Sequence, residues 1–216
     1  MSRNLSVILL TLANILFFAN FAHAEEWHVA RVTQPASFST DGANWNPIKK
    51  NMRIPNSSWI KTGIRGRILL KRDKETIVYR ANTMAGIIQR NKSGKKTEIH
   101  QRFGRILVDV ETRKYKHTSV KTPFLAAVVK GTKFSVFVGA RNTKLDVVRG
   151  IVEVTNPQRG ERVSVTAGQN VSVNRNVNQP LQVNGPGRKA TVVDVKTGKP
   201  VKSNQVAQSN NGRGNG

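Results

Sequence analysis

The sequence contains no cysteine. Thiol catalysis, thiolate metal sites, disulfides and cysteine lipidation are excluded together, and the fold must hold by burial alone. Carboxylates are scarce, with 12 Asp and Glu against 36 Lys and Arg. That leaves little material for paired acid–base catalysis. The formal net charge of +24 predicts attraction to polyanions, weakened steeply by salt. Histidine is thin as well. His28, His100 and His117 are scattered along the chain, show no metal-ligand spacing, and read as isolated exposed residues. Neither H-E-x-x-H nor Gly-x-Ser-x-Gly occurs, which removes the common zinc-protease and hydrolase signatures. No second long apolar run follows the one at the start, so no membrane span is expected beyond it.

That first run is the clearest feature of what is present. Arg3 precedes an apolar stretch from Leu5 to Phe21, and Ala22-His23-Ala24 forms an A-x-A cleavage site before Glu25. Thr11, Asn14 and Asn20 interrupt the stretch, as suits a cleaved signal better than an anchor of about 20 purely apolar residues. Residues 1–24 are therefore expected to be a signal peptide and the remainder a periplasmic or secreted protein. The polyanions within its reach would be anionic lipid, lipopolysaccharide and wall polymers.

Residues 25–173 read as strand after strand. "RILLK", "TIVYRA", "RILVDV", "FSVFV", "LDVV", "IVEV", "RVSV" and "NVSV" are short β-branched or aromatic runs with Gly, Asn, Pro or Asp between most of them. In "FSVFV" the alternation sets Phe134, Val136 and Val138 on one face and Ser135 with Lys133 on the other. Such spacing predicts an all-β sandwich, barrel or short solenoid. Gly-Arg-Ile-Leu at Gly66–Leu69 and again at Gly104–Leu107, with Arg149-Gly150-Ile151-Val152 as a near relative, places glycines at strand openings where two backbones approach. From Asn174 to Gly216 the chain turns rich in Asn, Gln, Gly, Ser and Pro. This segment is expected to be a basic, mostly disordered tail with one edge strand at Thr191–Val195.

The stretch "TPFLAAVVKGTKFSVFV", Thr122–Val138, resembles the central motif of the FecR domain family. Thr122-Pro123 leads into an apolar run, then Gly131-Thr132-Lys133-Phe134-Ser135-Val136. The resemblance continues through Gly150, with its flanking apolar residues, to the closing Ala167-Gly168-Gln169, and covers residues 29 to 173. It implies an exported all-β domain that contacts proteins or the envelope. Asp73-Lys74 stands where the family often has an Asp-Gly turn, and Asn51 and Asn56 stand near usual glycines. Only Met1–Asn4 precede the apolar run, so the cytoplasmic, sigma-factor-directed segment of the best-known members is not expected here. The motif itself reads as structural. Gly131 would serve a bend or close backbone approach, Thr132 would bond nearby backbone, and Phe134 and Val136 would fill the core. A phosphate cradle would need more glycines opening a helix.

No catalytic constellation and no cofactor or metal site is expected. Asp109 and Glu111 share a strand face near Arg105, Arg113 and Lys114, which suits surface ion pairs better than acid–base work. The functional candidates are the basic clusters: Arg65, Arg67, Lys71, Arg72 and Lys74 around one strand; Arg90, Lys92, Lys95 and Lys96 in one loop; Arg113, Lys114 and Lys116 around Tyr115 and His117. They predict a non-enzymatic protein contacting an envelope or membrane protein, or an anionic polymer or lipid. Nucleic acid is disfavoured, because only Tyr115 is placed among them to stack on a base. A sensory or regulatory accessory domain relaying a signal to a membrane partner is the alternative.

Overall fold

The computed structural model describes residues 26–89, 96–175 and 180–201. The signal segment at residues 1–24 lies outside them, as do Arg90, Lys92 and Lys95. Every regular element among the described residues is a strand, as the sequence predicts. The first eight are β1 (His28–Thr33), β2 (Ala36–Ser39), β3 (Asn46–Pro47), β4 (Ser58–Thr62), β5 (Arg67–Arg72), β6 (Glu75–Tyr79), β7 (Thr83–Gln89) and β8 (Thr97–Asp109). They are followed by β9 (Thr118–Lys121), β10 (Ala126–Val129), β11 (Lys133–Val138), β12 (Asn142–Arg149), β13 (Ile151–Asn156), β14 (Glu161–Thr166), β15 (Asn170–Asn174), β16 (Gln182–Asn184) and β17 (Val193–Asp194).

Alternation decides which face each strand buries. In β11, Phe134, Val136 and Val138 are buried while Lys133 is exposed and Ser135 half-buried, the register expected from the sequence. β14 and β15 repeat the pattern with Val163, Val165, Val171 and Val173 inside.

All seventeen strands join one open, mixed network of pairings, in which β8–β9 is parallel. The network folds into two layers because β8 serves both. Its first part pairs with β7 and β9, and its second part pairs with β6 and β11. One layer runs β1–β5–β6–β8–β11–β12–β15–β16. The other runs β3–β2–β4–β7–β8–β9–β10–β13–β14–β17. A single core cluster takes Ile68, Leu70, Ile106 and Phe134 from the first layer and Ile60, Ile87, Val120 and Val152 from the second. Gly104 makes the crossing: at φ 86° its missing Cβ would lie 2.3 Å from the Asn82 carbonyl oxygen. Only glycine permits that backbone conformation and that approach together.

β16 and β17 lie within the segment that composition marks as tail. Leu181 is buried, and its backbone N–H donates to Glu161 Oε2 at 3.0 Å. Val183, Ala190 and Val192 pack against the core. β17 falls inside the apolar piece Thr191–Val195. The segment docks through Leu181, three part-buried apolar side chains and a few hydrogen bonds, spaced too widely along the chain to stand out in its composition.

Candidate functional site

Two places in the sandwich concentrate charge. The first is inside it. The β5–β6 turn carries Asp73 at φ 50°, a left-handed position that Asp tolerates better than most residues, and so the turn closes without the glycine. It sets Arg72 and Glu75 side by side, both buried. Arg72 Nη2 donates to Glu75 Oε2 at 2.6 Å and to Thr97 Oγ1 at 2.8 Å, and its guanidinium stacks on the Trp27 ring at 4.5 Å. His117 Nε2 meets Glu75 Oε1 at 2.9 Å, and its Nδ1 meets the Tyr115 carbonyl oxygen at 3.2 Å. Arg113 closes the cluster, with Nη2 3.4 Å from Glu75 Oε1.

Burial pushes the Glu75 carboxyl upward. Hydrogen bonds from His117 and Arg72 and the charges of Arg72 and Arg113 more than offset it, bringing the group down to about 2. A buried carboxylate held in this way by cations and donors has no readiness to take a proton near neutrality. The cluster ties the β5–β6 hairpin to β8 and to the segment before β9. Among the described residues no group of three or more His, Cys, Asp or Glu could hold a metal. His117, read from sequence as exposed and isolated, is 3% exposed. It is a partner of the buried carboxylate, 42 residues away in the chain.

The second place is the outer face of the first layer. Pairing register places Thr33, Arg67, Arg105, Phe137 and Lys144 along one rung, and Arg80, the residue after β6, joins it by donating its N–H to the Arg105 carbonyl at 3.0 Å. The next rung carries Arg31, Leu69, Val78, Leu107, Ser135 and Asp146. Around β11 and β12 the charges are compensated. Asp146 is 3.1 Å from Lys144 and 4.0 Å from Arg105, and Asp109 is 2.8 Å from Arg149 and 3.5 Å from Lys133. Around β1, β5 and β6 they are not: Arg31, Arg67 and Arg80 make no ion pair among the described residues. These three arginines, with Thr33, Leu69, Val78 and Leu107, line a cavity of about 220 Å³. The sequence hid this arrangement because its members come from four strands and only Arg67 sits in a visible basic run.

The basic residues singled out by sequence do not form one surface. Arg65, Lys71 and Lys114 are exposed, Arg67 lines the outer cavity, and Lys116 is 2.9 Å from Glu153. Lys96 lies just before β8. Two placements are corrected. Arg72 is 4% exposed and belongs to the Glu75 cluster, and Arg113 leans into the same carboxylate. Arg72 is not presented to a partner, because the inward face of β5 ends in it, and Arg113 is half-buried with its guanidinium turned toward Glu75. Asp109 and Glu111 do form surface ion pairs, though with Lys133, Arg149 and Lys74.

The motif residues hold corners. Gly131 stands at φ 68°, and a Cβ there would lie 2.2 Å from Thr112 Oγ1 and 2.6 Å from Thr112 Cα. Thr132 departs from expectation: its buried hydroxyl has no hydrogen-bond partner. The residue serves through packing, its Cγ2 filling the space beside Gly150. Thr122 Oγ1 accepts the Leu125 N–H at 3.0 Å, closing the turn that contains Pro123. After Ala167-Gly168, Gln169 Oε1 accepts the Thr166 N–H at 3.1 Å and its Nε2 donates to the Arg188 carbonyl at 3.0 Å. The closing glutamine thus anchors the segment that carries β17.

Comparison with known proteins agrees with this architecture. The family model described as "FecR protein" matches residues 58–153. No curated protein matches the chain. Two crystal structures of a "putative anti-sigma factor" from Parabacteroides distasonis ATCC 8503, at 1.65 and 2.50 Å resolution, are similar in fold, each at 18% identity and a TM-score of 0.51. Each match covers 59% of this chain and 59% of that one, so this chain spans about three fifths of its neighbour's length. Among the described residues no helix is long and apolar enough to cross a membrane. The part of the chain similar to the FecR family thus runs from the start of β4 into β13.

Proposed function

We propose that this chain is a non-enzymatic binding protein of the bacterial cell envelope, exported by cleavage of residues 1–24, whose FecR domain presents a cationic sheet face to an anionic polymer, lipid or acidic protein. One observation carries the reading. Arg31, Arg67 and Arg80, none of them in an ion pair among the described residues, line one cavity on the outer face of the first layer. A regulatory role is supported by the family match. The buried acid argues against catalysis, since it is enclosed in the core and held by Arg72, His117 and Arg113. The test is a cross-linking capture from intact envelopes at low and high salt. Capture of polymer or lipid that vanishes at high salt is the expected result; turnover of an envelope substrate, abolished by a single carboxylate or serine substitution, would overturn it.

A second reading, an accessory domain that relays a signal to one membrane protein, is favoured by a different feature. The β12–β13 turn exposes Val148 at 64% and Ile151 at 58% on either side of Gly150. Such apolar tips suit a protein contact more than a polyanion. A single membrane protein retained through the high-salt wash, and lost on Val148→Ser/Ile151→Ser, would establish this reading over the first.

A further inference from the structure

The outer cavity joins two chemistries that a purely electrostatic surface does not need. Its rim is Arg31, Arg67 and Arg80, and its floor is Leu69, Val78 and Leu107. The floor residues are half-buried and stand on adjacent strands at paired positions, Leu69 opposite Val78 and Val78 opposite Leu107. One rung over, Phe137 continues the apolar strip beneath the Arg105 guanidinium, 5.1 Å from the ring centroid. No carboxylate lines the cavity. Guanidinium groups pair bidentately with phosphate oxygens and are only weakly hydrated, so they suit the zone between a headgroup layer and water.

We propose that this face docks onto an anionic membrane surface, with lipid phosphates between Arg31, Arg67 and Arg80 and the adjoining methylenes resting on Leu69, Val78 and Leu107. The proposal rests on the cationic-face reading and narrows its partner to lipid. Charge complementarity selects an anionic occupant, and the continuous apolar floor selects one with hydrocarbon attached to its anion. A soluble polyanion would use the arginines and leave the floor wet. The two rungs present basic and apolar side chains side by side, as a partner with anion and hydrocarbon at adjoining depths requires.

The test uses the chain beginning at Glu25, which holds every described strand. It is mixed at physiological salt with phosphatidylcholine vesicles with and without phosphatidylglycerol, and in a separate arm with inorganic polyphosphate. At that ionic strength charges more than about 8 Å from the contact are screened, so distant lysines contribute little. Binding is expected to phosphatidylglycerol vesicles and not to phosphatidylcholine alone. Arg67→Gln/Arg80→Gln should weaken it about tenfold to thirtyfold, from the attraction of two basic residues near an anionic surface. Leu69→Thr/Val78→Thr changes no charge and keeps β-formers at both sites, yet should weaken it at least about threefold. Lys114→Gln/Lys130→Gln removes the same charge as the arginine pair, away from the cavity, and should leave binding unchanged. Equal losses from the lysine and arginine pairs, or wild-type binding by the threonine pair, would overturn the proposal. Salt-sensitive binding of polyphosphate with none of phosphatidylglycerol would also overturn it while leaving the broader cationic-face reading intact. Binding of neither would remove both.

Discussion

Substituting Glu75 by Gln tests the buried cluster most directly. The change keeps the size of the side chain and one oxygen acceptor but removes the charge that Arg72 and His117 face. Arg72, 4% exposed, would lose its buried carboxylate partner while remaining stacked on Trp27. Removing one partner of a buried ion pair costs about 3–5 kcal/mol. The titration gives an independent figure. A folded-state value of about 2 against an ordinary 4.5 corresponds to ~3 kcal/mol. The sign follows from the direction of that shift. Because the folded carboxyl is depressed, its stabilisation is fully present above the ordinary value and fades as pH falls from about 4.5 toward about 2. Glu75→Gln has no such group to titrate. The stability gap between the two chains should therefore be ~3 kcal/mol near neutrality and close through that acid window. Urea unfolding of both chains at several pH values, followed by tryptophan fluorescence, measures it. A gap that is the same in acid as at neutrality, or below about 1 kcal/mol throughout, would refute the reasoning, since a surface pair is worth no more than that.

Gly131→Ala should destabilise the fold by about 2–4 kcal/mol, combining a left-handed backbone with a collision at Thr112; thermal melts check it, and a near-neutral result would mean the corner relaxes freely. Phe134→Ala should cost about 3–5 kcal/mol in urea unfolding, whereas Ser135→Ala on the opposite face should cost under about 1 kcal/mol. Ending the chain after Val173 strips Leu181 from the core and removes the donor to Glu161 and the acceptor of Gln169. A loss of about 2–3 kcal/mol is expected from the leucine alone, and unchanged stability would show that the segment is not packed in solution.

Strand faces were legible in the sequence because their signal is local. A period of two at Phe134, Val136 and Val138 states which side is buried without reference to any other strand. The corner glycines were legible for the same reason, since only a backbone constraint explains Gly131 between two apolar runs. What stayed hidden is what pairing register creates. Glu75 and His117 are 42 residues apart, and no local pattern marks a histidine that will meet a carboxylate across layers. Arg72 sat in a visible basic run yet turned inward, because alternation along β5 gives its even-numbered positions to the core. Thr132 misled in another way: a threonine after glycine suggests a hydroxyl at work, and the structure uses its methyl. The cationic cavity is the strongest case. Arg31, Arg67 and Arg80 are unremarkable singly, and only the β1–β5–β6 pairing sets them together.

The distribution of the charge says more than its total. On the second layer the cations have company: Lys121 lies 2.7 Å and His100 in close contact with Glu98, Lys116 lies 2.9 Å from Glu153, and Arg102 covers the Trp59 ring at 4.3 Å. On the outer face of the first layer the acids Asp109 and Asp146 sit on β8 and β12, and Arg31, Arg67 and Arg80 make no ion pair among the described residues. What the outer face of the first layer adds is a single cavity in which three arginines meet without a lining carboxylate among the described residues, a place on that face that attracts anions. A protein that docks by that face holds its apolar β12–β13 turn, at the end of the same sheet, free for a second contact. The cationic face and the apolar turn are therefore compatible as two stages of one arrangement, the first concentrating the domain at a surface and the second selecting what it meets there.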